Sequence, residues 1–286
     1  MQTENTRTGA LSPLEAAQST FETALHHLNE PTQLAFFKNV FGALLLSFGG
    51  IFALIVSQGS PGLEETNPGL PKMLMGATFP VGLVLIYFVG AELFTGYPMW
   101  LAMLAFSRRG RPIQYLRALV IPWLGNLAGA LLVSSVFSVA TQTLTPEPYK
   151  SGIISLITST VIHAKWHVIL LKAIGCGYLV TLAMFVGSQN QDGISKALGL
   201  HLPFFISTAI EFPHTVEYMY LGSLAMMLGA EMSVWMFFWK CLLPVTLGNI
   251  IGGALFTGAY LWWVYLYCED GERAKDWLLS DGQQDM

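Results

Sequence analysis

The chain has 286 residues, of which 53% are apolar and only 11% charged, with a net charge of −4. Soluble domains carry about a quarter charged residues, so this composition excludes an ordinary soluble enzyme, and the lack of a basic stripe excludes nucleic acid as a partner. The acidic excess sits largely near the ends, at Glu4, Glu15, Asp281 and Asp285.

The first residues are polar, with Thr3, Glu4 and Asn5, and no basic region leads into a short apolar stretch. A cleaved signal peptide is therefore not expected. Ser12-Pro13-Leu14-Glu15 has the form of a capping box with proline at the first helical position, and Leu14, Phe21, Leu25 and Leu28 then recur on one face. This predicts an amphipathic helix within residues 1–34, lying on the inner membrane surface or against a neighbouring subunit.

Six apolar runs follow, at 36–56, 73–106, 118–140, 166–186, 197–228 and 232–267. Each is long enough to cross ~30 Å of hydrocarbon as a helix. The expected fold is an all-α integral membrane protein, with a lipid-embedded transport domain over residues 35–268 and a tail over 269–286.

Between the second and third runs stand Arg108, Arg109 and Arg111, with Arg117 close behind, whereas the first and third connections carry only Lys72 and Lys150 near the membrane. The positive-inside rule places the arginine loop in the cytoplasm. An even number of spans separates it from both ends, so both termini are expected on the cytoplasmic side of the plasma membrane, in accord with Lys196, Arg273 and Lys275. Trp262, Trp263, Tyr265 and Tyr267 cluster as an inner interfacial belt would. Cys176, Cys241 and Cys268 lack metal-ligand spacing and read as small packing residues, with no disulfide framework, metal or cofactor implied.

The segment Gly125-Asn126-Leu127-Ala128-Gly129 recurs as Gly248-Asn249-Ile250-Ile251-Gly252, each copy following a proline, Pro122 or Pro244. The runs 73–106 and 197–228 would each be about 50 Å as continuous helices, too long for one straight crossing. Both carry polar residues and proline near the middle, Glu92, Thr95 and Pro98 in one and Glu211, Pro213, His214 and Glu217 in the other. They are expected to break there. The chain then reads as two halves of three spans, and because three is odd the second half is inverted.

Inverted repeats with discontinuous helices place a substrate path at the midplane between the halves, since broken backbone is tolerated only where it is buried in protein or lines a wet cavity. The paired glycines would let the helices pack closely around that path, and Asn126 and Asn249 beside them are counted among its candidate residues. Glu92 and Glu211 are expected to hold the broken loops by hydrogen bonds rather than to bind solute. For Lys172, a partner such as Glu217 or a snorkelling position is expected.

Several stretches resemble the formate/nitrite transporter family. They are Gly90-Ala91-Glu92-Leu93-Phe94-Thr95, Trp123-Leu124-Gly125-Asn126, Lys172-Ala173-Ile174-Gly175-Cys176, Phe212-Pro213-His214, and the run from Pro244 to Gly253. The resemblance implies an aquaporin-like helical fold assembled as a homopentamer, each protomer with its own pore. It makes His214 the centre of the pore, with Leu93, Phe94 and Thr95 on the loop opposite. It places apolar constrictions at Phe79 and Leu83 and a vestibular lysine at Lys165. It also exposes departures: Ser207 stands where a bulky constriction residue is usual, and Tyr218-Met219 replaces asparagine-methionine.

The function this implies is passage of small monovalent weak-acid anions, nitrite first and formate as the alternative, linked to protons. A small anion faces a large desolvation penalty in an apolar pore. Positive helix ends and Lys165 would attract it, and His214 can offer a hydrogen bond or a proton at the narrowest point. A water or neutral-solute channel of the aquaporin kind shares the two-break layout but needs paired Asn-Pro-Ala-like turns, and the chain's one Asn-Pro, Asn67-Pro68, lies in an outer loop. No His-Glu-x-x-His, Gly-x-Ser-x-Gly or aspartate pair within the spans points to an enzyme.

Overall fold

A chain this apolar must satisfy its own backbone polar groups, and in lipid a helix does so within one segment. The computed structural model describes residues 9–267, and apart from one isolated bridge between Ala10 and Asn190 the described elements are helical. Cys268 and the tail, with Arg273 and Lys275, lie outside the described residues.

In chain order the helices are α1 Pro13–Asn29, α2 Thr32–Gln58 and the short α3 Pro61–Thr66. Next come α4 Gly69–Val89, α5 Phe94–Phe106 and α6 Pro112–Ala140. Then follow α7 Tyr149–Ile157, α8 Trp166–Gln189, α9 Gly193–Ala209, α10 Thr215–Leu228 and α11 Val234–Leu266. Five of them, α2, α4, α6, α8 and α11, are long and apolar enough to cross a membrane.

The two overlong runs break where the sequence places its polar residues. The first divides into α4 and α5 after Gly90, whose φ of +71° is a left-handed helix terminus that glycine adopts without strain. The second divides into α9 and α10 around Glu211, a non-glycine residue at φ +58°. Neither α9 nor α10 alone spans a bilayer. Helix ends lie a few residues outside the apolar runs, because polar residues such as Thr32 and Gly69 continue a helix that its apolar part has nucleated.

The repeated glycines sit where helices touch. A Cβ on Gly125 would fall 2.6 Å from the carbonyl oxygen of Phe36 on α2, and one on Gly248 would fall 2.7 Å from that of Leu170 on α8. No side chain fits at either crossing, so α6 lies directly on the backbone of α2 and α11 on that of α8. The end of α6 is a π-helical stretch over Val133–Ala140, and its widened turn presents Ser134 and Ser138 to α10, where they meet Ser223 at 2.8 Å and the Tyr220 hydroxyl at 2.9 Å.

The expected capping box at α1 forms, with Glu15 accepting from the Ser12 N–H at 2.8 Å. The helix docks differently from the sequence expectation. Ala16, Ala17, Thr20, Ala24 and Leu28 are its buried residues, packed into a cluster with Tyr97, Met99, Trp100, Met103 and Leu104. Of the anticipated face Leu28 is buried, Phe21 and Leu25 pack partly buried against the same cluster, and Leu14 is exposed. The alanines win because a stripe of small side chains allows closer approach to α5 than leucine and phenylalanine do. On the outside of the bundle, Phe37, Phe41, Phe52, Phe88 and Trp239 are exposed, as suits a surface solvated by lipid or neighbouring subunits.

Candidate functional site: a buried histidine between two helix breaks

At a helix start the first N–H groups have no partner within the helix, and at both breaks an asparagine supplies one. The Phe94 N–H donates to Asn126 Oδ1 at 2.7 Å, while Asn126 Nδ2 donates to the Asn39 carbonyl at 2.6 Å. In the second half the Thr215 N–H and hydroxyl both donate to Asn249 Oδ1 at 2.8 Å, and Asn249 Nδ2 donates to the Ala173 and Pro213 carbonyls at 2.8 and 3.1 Å. Each asparagine thus ties a broken helix to the span beside it. The Trp123 indole donates across to Thr246 at 3.1 Å, joining the helices that carry the two clamps.

His214 follows directly from the second clamp. It is the N-cap of α10, fully buried, and its Nδ1 accepts from the Glu217 N–H at 3.3 Å. An Nδ1 that accepts leaves the neutral ring's proton on Nε2, which lies 2.8 Å from Thr95 Oγ1. The imidazole therefore donates to the hydroxyl of Thr95, and both are fully buried. Leu93 and Phe94, the residues before Thr95, are buried as well.

One aromatic ring packs on the histidine and a second packs on the first. Phe204 on α9 lies 5.3 Å from the His214 ring and, edge-on, 5.3 Å from Phe79. Phe79 and Leu83 are buried in the same cluster. Phe204 was not singled out by the sequence reading, although it lies one turn before Ser207 on the same face of α9. Ser207 is fully buried and its hydroxyl lacks a hydrogen bond. A bulky side chain, Phe204, stands one turn away.

The remaining candidates sit apart from the ring. Phe212 is half-buried against Gly175. Lys165 is the N-cap of α8 and exposed, as are His163 and His167. Lys172, one level deeper on α8, lines a cavity of about 220 Å³ beside the second break, together with Ser159, Thr160, Glu211, Pro213 and Tyr218.

The acidic residues hold the breaks, as expected, by different means. Buried Glu92 accepts from Lys38 Nζ at 2.8 Å and from the Tyr97 hydroxyl, with His27 Nδ1 at 3.3 Å. Lys38 also pairs with buried Glu30. The His27 ring stacks on Trp100 at 4.3 Å. Burial pushes the His27 imidazole below its ordinary value of 6.5, against the opposing pull of Glu92 and Glu30. At the second break Glu211 pairs with Lys72 at 2.8 Å near the surface.

Comparison with known proteins agrees with this architecture. The family model described as "Formate/nitrite transporter" matches residues 14–263. A relative from Methanothermobacter thermautotrophicus, described as "Probable formate transporter", is 34% identical over 235 residues, covering 77% of this chain and 85% of its own. A solved "FNT family ion channel" superposes with a TM-score of 0.74 at 26% identity, covering 88% of this chain and 97% of its own. A second solved structure, "Pentameric formate channel with formate bound", shares the fold, with a TM-score of 0.71 at 23% identity over 82% of this chain and 98% of its own. With two clamped helix breaks around a buried histidine and a family match over most of its length, this chain is a multi-pass membrane protein, not an enzyme, and belongs to the formate/nitrite transporter family.

Proposed function

We propose that the chain conducts formate and nitrite through a pore centred on His214, in six spans arranged as two inverted halves. The observation that carries this is the fully buried 2.8 Å contact between His214 Nε2 and Thr95 Oγ1 at the meeting of the two broken helices. Intramembrane ionisable groups on clamped, interrupted helices mark solute paths. Nitrite was the first choice on sequence grounds; the relative described as a formate transporter brings formate level with it.

In this reading an anion loses water as it approaches Phe79, Phe204 and Leu83, and the Nε2–H of His214 replaces part of that hydration. Donation by imidazole and the Thr95 hydroxyl lowers the desolvation penalty without fixing a permanent charge that would trap the ion. Passage as the neutral acid removes most of the penalty, so flux is linked to protons. Asn126 and Asn249 serve the path by fixing its walls. The protomers assemble as a pentamer in the plasma membrane, lipid meeting their exposed aromatic residues, with residues 1–34 and 269–286 on the cytoplasmic side of the 35–268 transport domain.

Uptake of formate and of nitrite into proteoliposomes, from mildly acid to neutral pH and with and without an uncoupler, tests this. His214→Ala is expected to reduce the rate by about tenfold or more, some 1.4 kcal/mol in the barrier, and to change its pH dependence. A variant with the wild-type rate and pH profile would defeat the proposal.

A further inference from the structure

The junction between α1 and the first break carries chemistry that the proposed transport path does not use. Among the described residues, Lys172 does not form the pair with Glu217 that its sequence suggested, whereas Lys38 holds two carboxylates at once, Glu30 and Glu92. Both carboxylates are buried, and among the described residues Lys38 is the only ammonium or guanidinium within ion-pair distance of either. With the His27 imidazole neutral, one negative charge is left over, in a place where an uncompensated charge is costly.

Two atoms beside that charge are buried without a hydrogen bond, His27 Nδ1 and Glu30 Oε2, and they stand 3.7 Å apart. Stacking on Trp100 at 4.3 Å sets the plane of the His27 ring. His26, exposed at the neighbouring position, adds a further ring nitrogen, and one donor atom from each of His26, His27 and Glu30 lies within 4.8 Å of the other two. The spacing has a simple origin. Glu30 is the C-cap of α1, so His26 and His27 precede it by one turn on the same side. Glu92 Oε1, 3.3 Å from His27 Nδ1, borders the same space while Lys38 holds it.

Ligands bound at about 2.0–2.2 Å around a tetrahedral ion stand roughly 3.4 Å apart. The 3.7 Å separation needs only a small contraction, and the exposed His26 side chain is free to turn inward. Two imidazole nitrogens with one carboxylate suit zinc and its first-row neighbours, whereas calcium and magnesium take oxygen ligands.

We propose that His26, His27 and Glu30 form a binding site for a divalent transition-metal ion of the zinc kind, which fastens the end of α1 to the first break. The ion supplies the missing positive charge and gives both orphaned atoms a partner. Its hold extends to α2 and to the loop of the first break, because Lys38 bridges Glu30 and Glu92.

The full-length protein, without a histidine tag and stripped with EDTA, is titrated in detergent with Zn²⁺ against a chromophoric chelator, and with Co²⁺ for its visible spectrum. Wild type should bind about one ion per chain with the spectrum of tetrahedral Co²⁺, and excess Mg²⁺ should not displace it. Loss of even an outer-shell partner costs metal sites about 10–100-fold in affinity, so His26→Ala, a change at an exposed residue, should weaken binding by at least about tenfold. His26→Cys should restore binding and add a sulfur-to-cobalt charge-transfer band. His163→Ala and His167→Ala, at two further exposed histidines, should bind as wild type. Amide exchange in α1 should slow when the ion binds, and exchange in α10 should not. Equal binding by His26→Ala and wild type, loss of binding in His163→Ala or His167→Ala, or unchanged exchange in α1 would overturn the site. A proton shared between His27 and Glu30 in place of an ion would show as no zinc binding at all, with the same consequence. None of these readouts needs flux, so they stand apart from the transport reading.

Discussion

At the first break Glu92 is buried among Lys38, Tyr97 and His27, whereas at the second Glu211 is partly exposed and meets a single surface lysine. Both breaks use an asparagine from the neighbouring helix to take up the freed N–H groups. The backbone problem is thus solved identically in each half, and the difference lies in the charges. Around the first break Glu92 is enclosed and shared by Lys38 and Tyr97, although His27 Nδ1 and Glu30 Oε2 have no hydrogen-bond partner there. Around the second the charges border cavities of about 220 and 170 Å³. In the function proposed above, one break would be a fixed wall and the other the entrance, with His214 between them.

The clamps provide the largest test of this contrast. Asn249→Ala leaves the Thr215 N–H, the Thr215 hydroxyl and the Ala173 and Pro213 carbonyls without their partner. Each buried orphan costs about 1–3 kcal/mol, so the variant should fail to accumulate as folded protein, read as loss of the monodisperse peak in size-exclusion chromatography. Asn126→Ala removes the partner of three groups, the Phe94 N–H and the Asn39 and Glu92 carbonyls, the last held at only 3.5 Å, so it should be destabilised less and remain recoverable. Equal behaviour of the two variants would show that clamp strength does not follow this hydrogen-bond count.

Much of this arrangement was legible in the sequence. The breaks were readable because two apolar runs were too long for one crossing and carried polar residues at mid-length, and Gly125 and Gly248 because each recurs in a fixed frame. The likeness of the two halves is closest at the clamps, where Phe94 is the counterpart of Thr215. Thr95 and His214 meet at 2.8 Å between the two breaks. The inward placement of Phe204 and of Lys172 was missed for a common reason. Which face of a helix points inward depends on its rotation, and α8 and α9 are apolar almost all round, so periodicity does not mark a face. The cluster of His27, Glu30, Lys38 and Glu92 joins residues far apart in the chain, and nothing local announces it.

That cluster supplies the next largest effect. Glu92→Ala removes the carboxylate that Lys38 and Tyr97 share, and breaking a buried pair costs about 3–5 kcal/mol. Glu211→Ala breaks a partly exposed pair worth about 0–1 kcal/mol and also removes a strained left-handed glutamate. Thermal unfolding in detergent should show a large downward shift in Tm for Glu92→Ala and little or none for Glu211→Ala. Similar shifts in both would erase the distinction between wall and entrance.

The smallest effect concerns how α1 is fastened to the fixed wall. The His27 imidazole is pushed below its ordinary 6.5 by burial, so the docked helix binds a proton less readily than the undocked one. Its contribution to docking is complete above 6.5 and declines as pH falls below that value. Amide exchange in α1, corrected for the intrinsic rate, should accelerate on mild acidification, while His27→Phe should keep the ring stack on Trp100 and lose the pH dependence. The opposite outcome is equally informative. Glu92 and Glu30 both pull towards the protonated ring, so greater protection at low pH would mean that their attraction outweighs desolvation. The first break would then tighten as the pH falls, and it would no longer be the unresponsive half of the comparison.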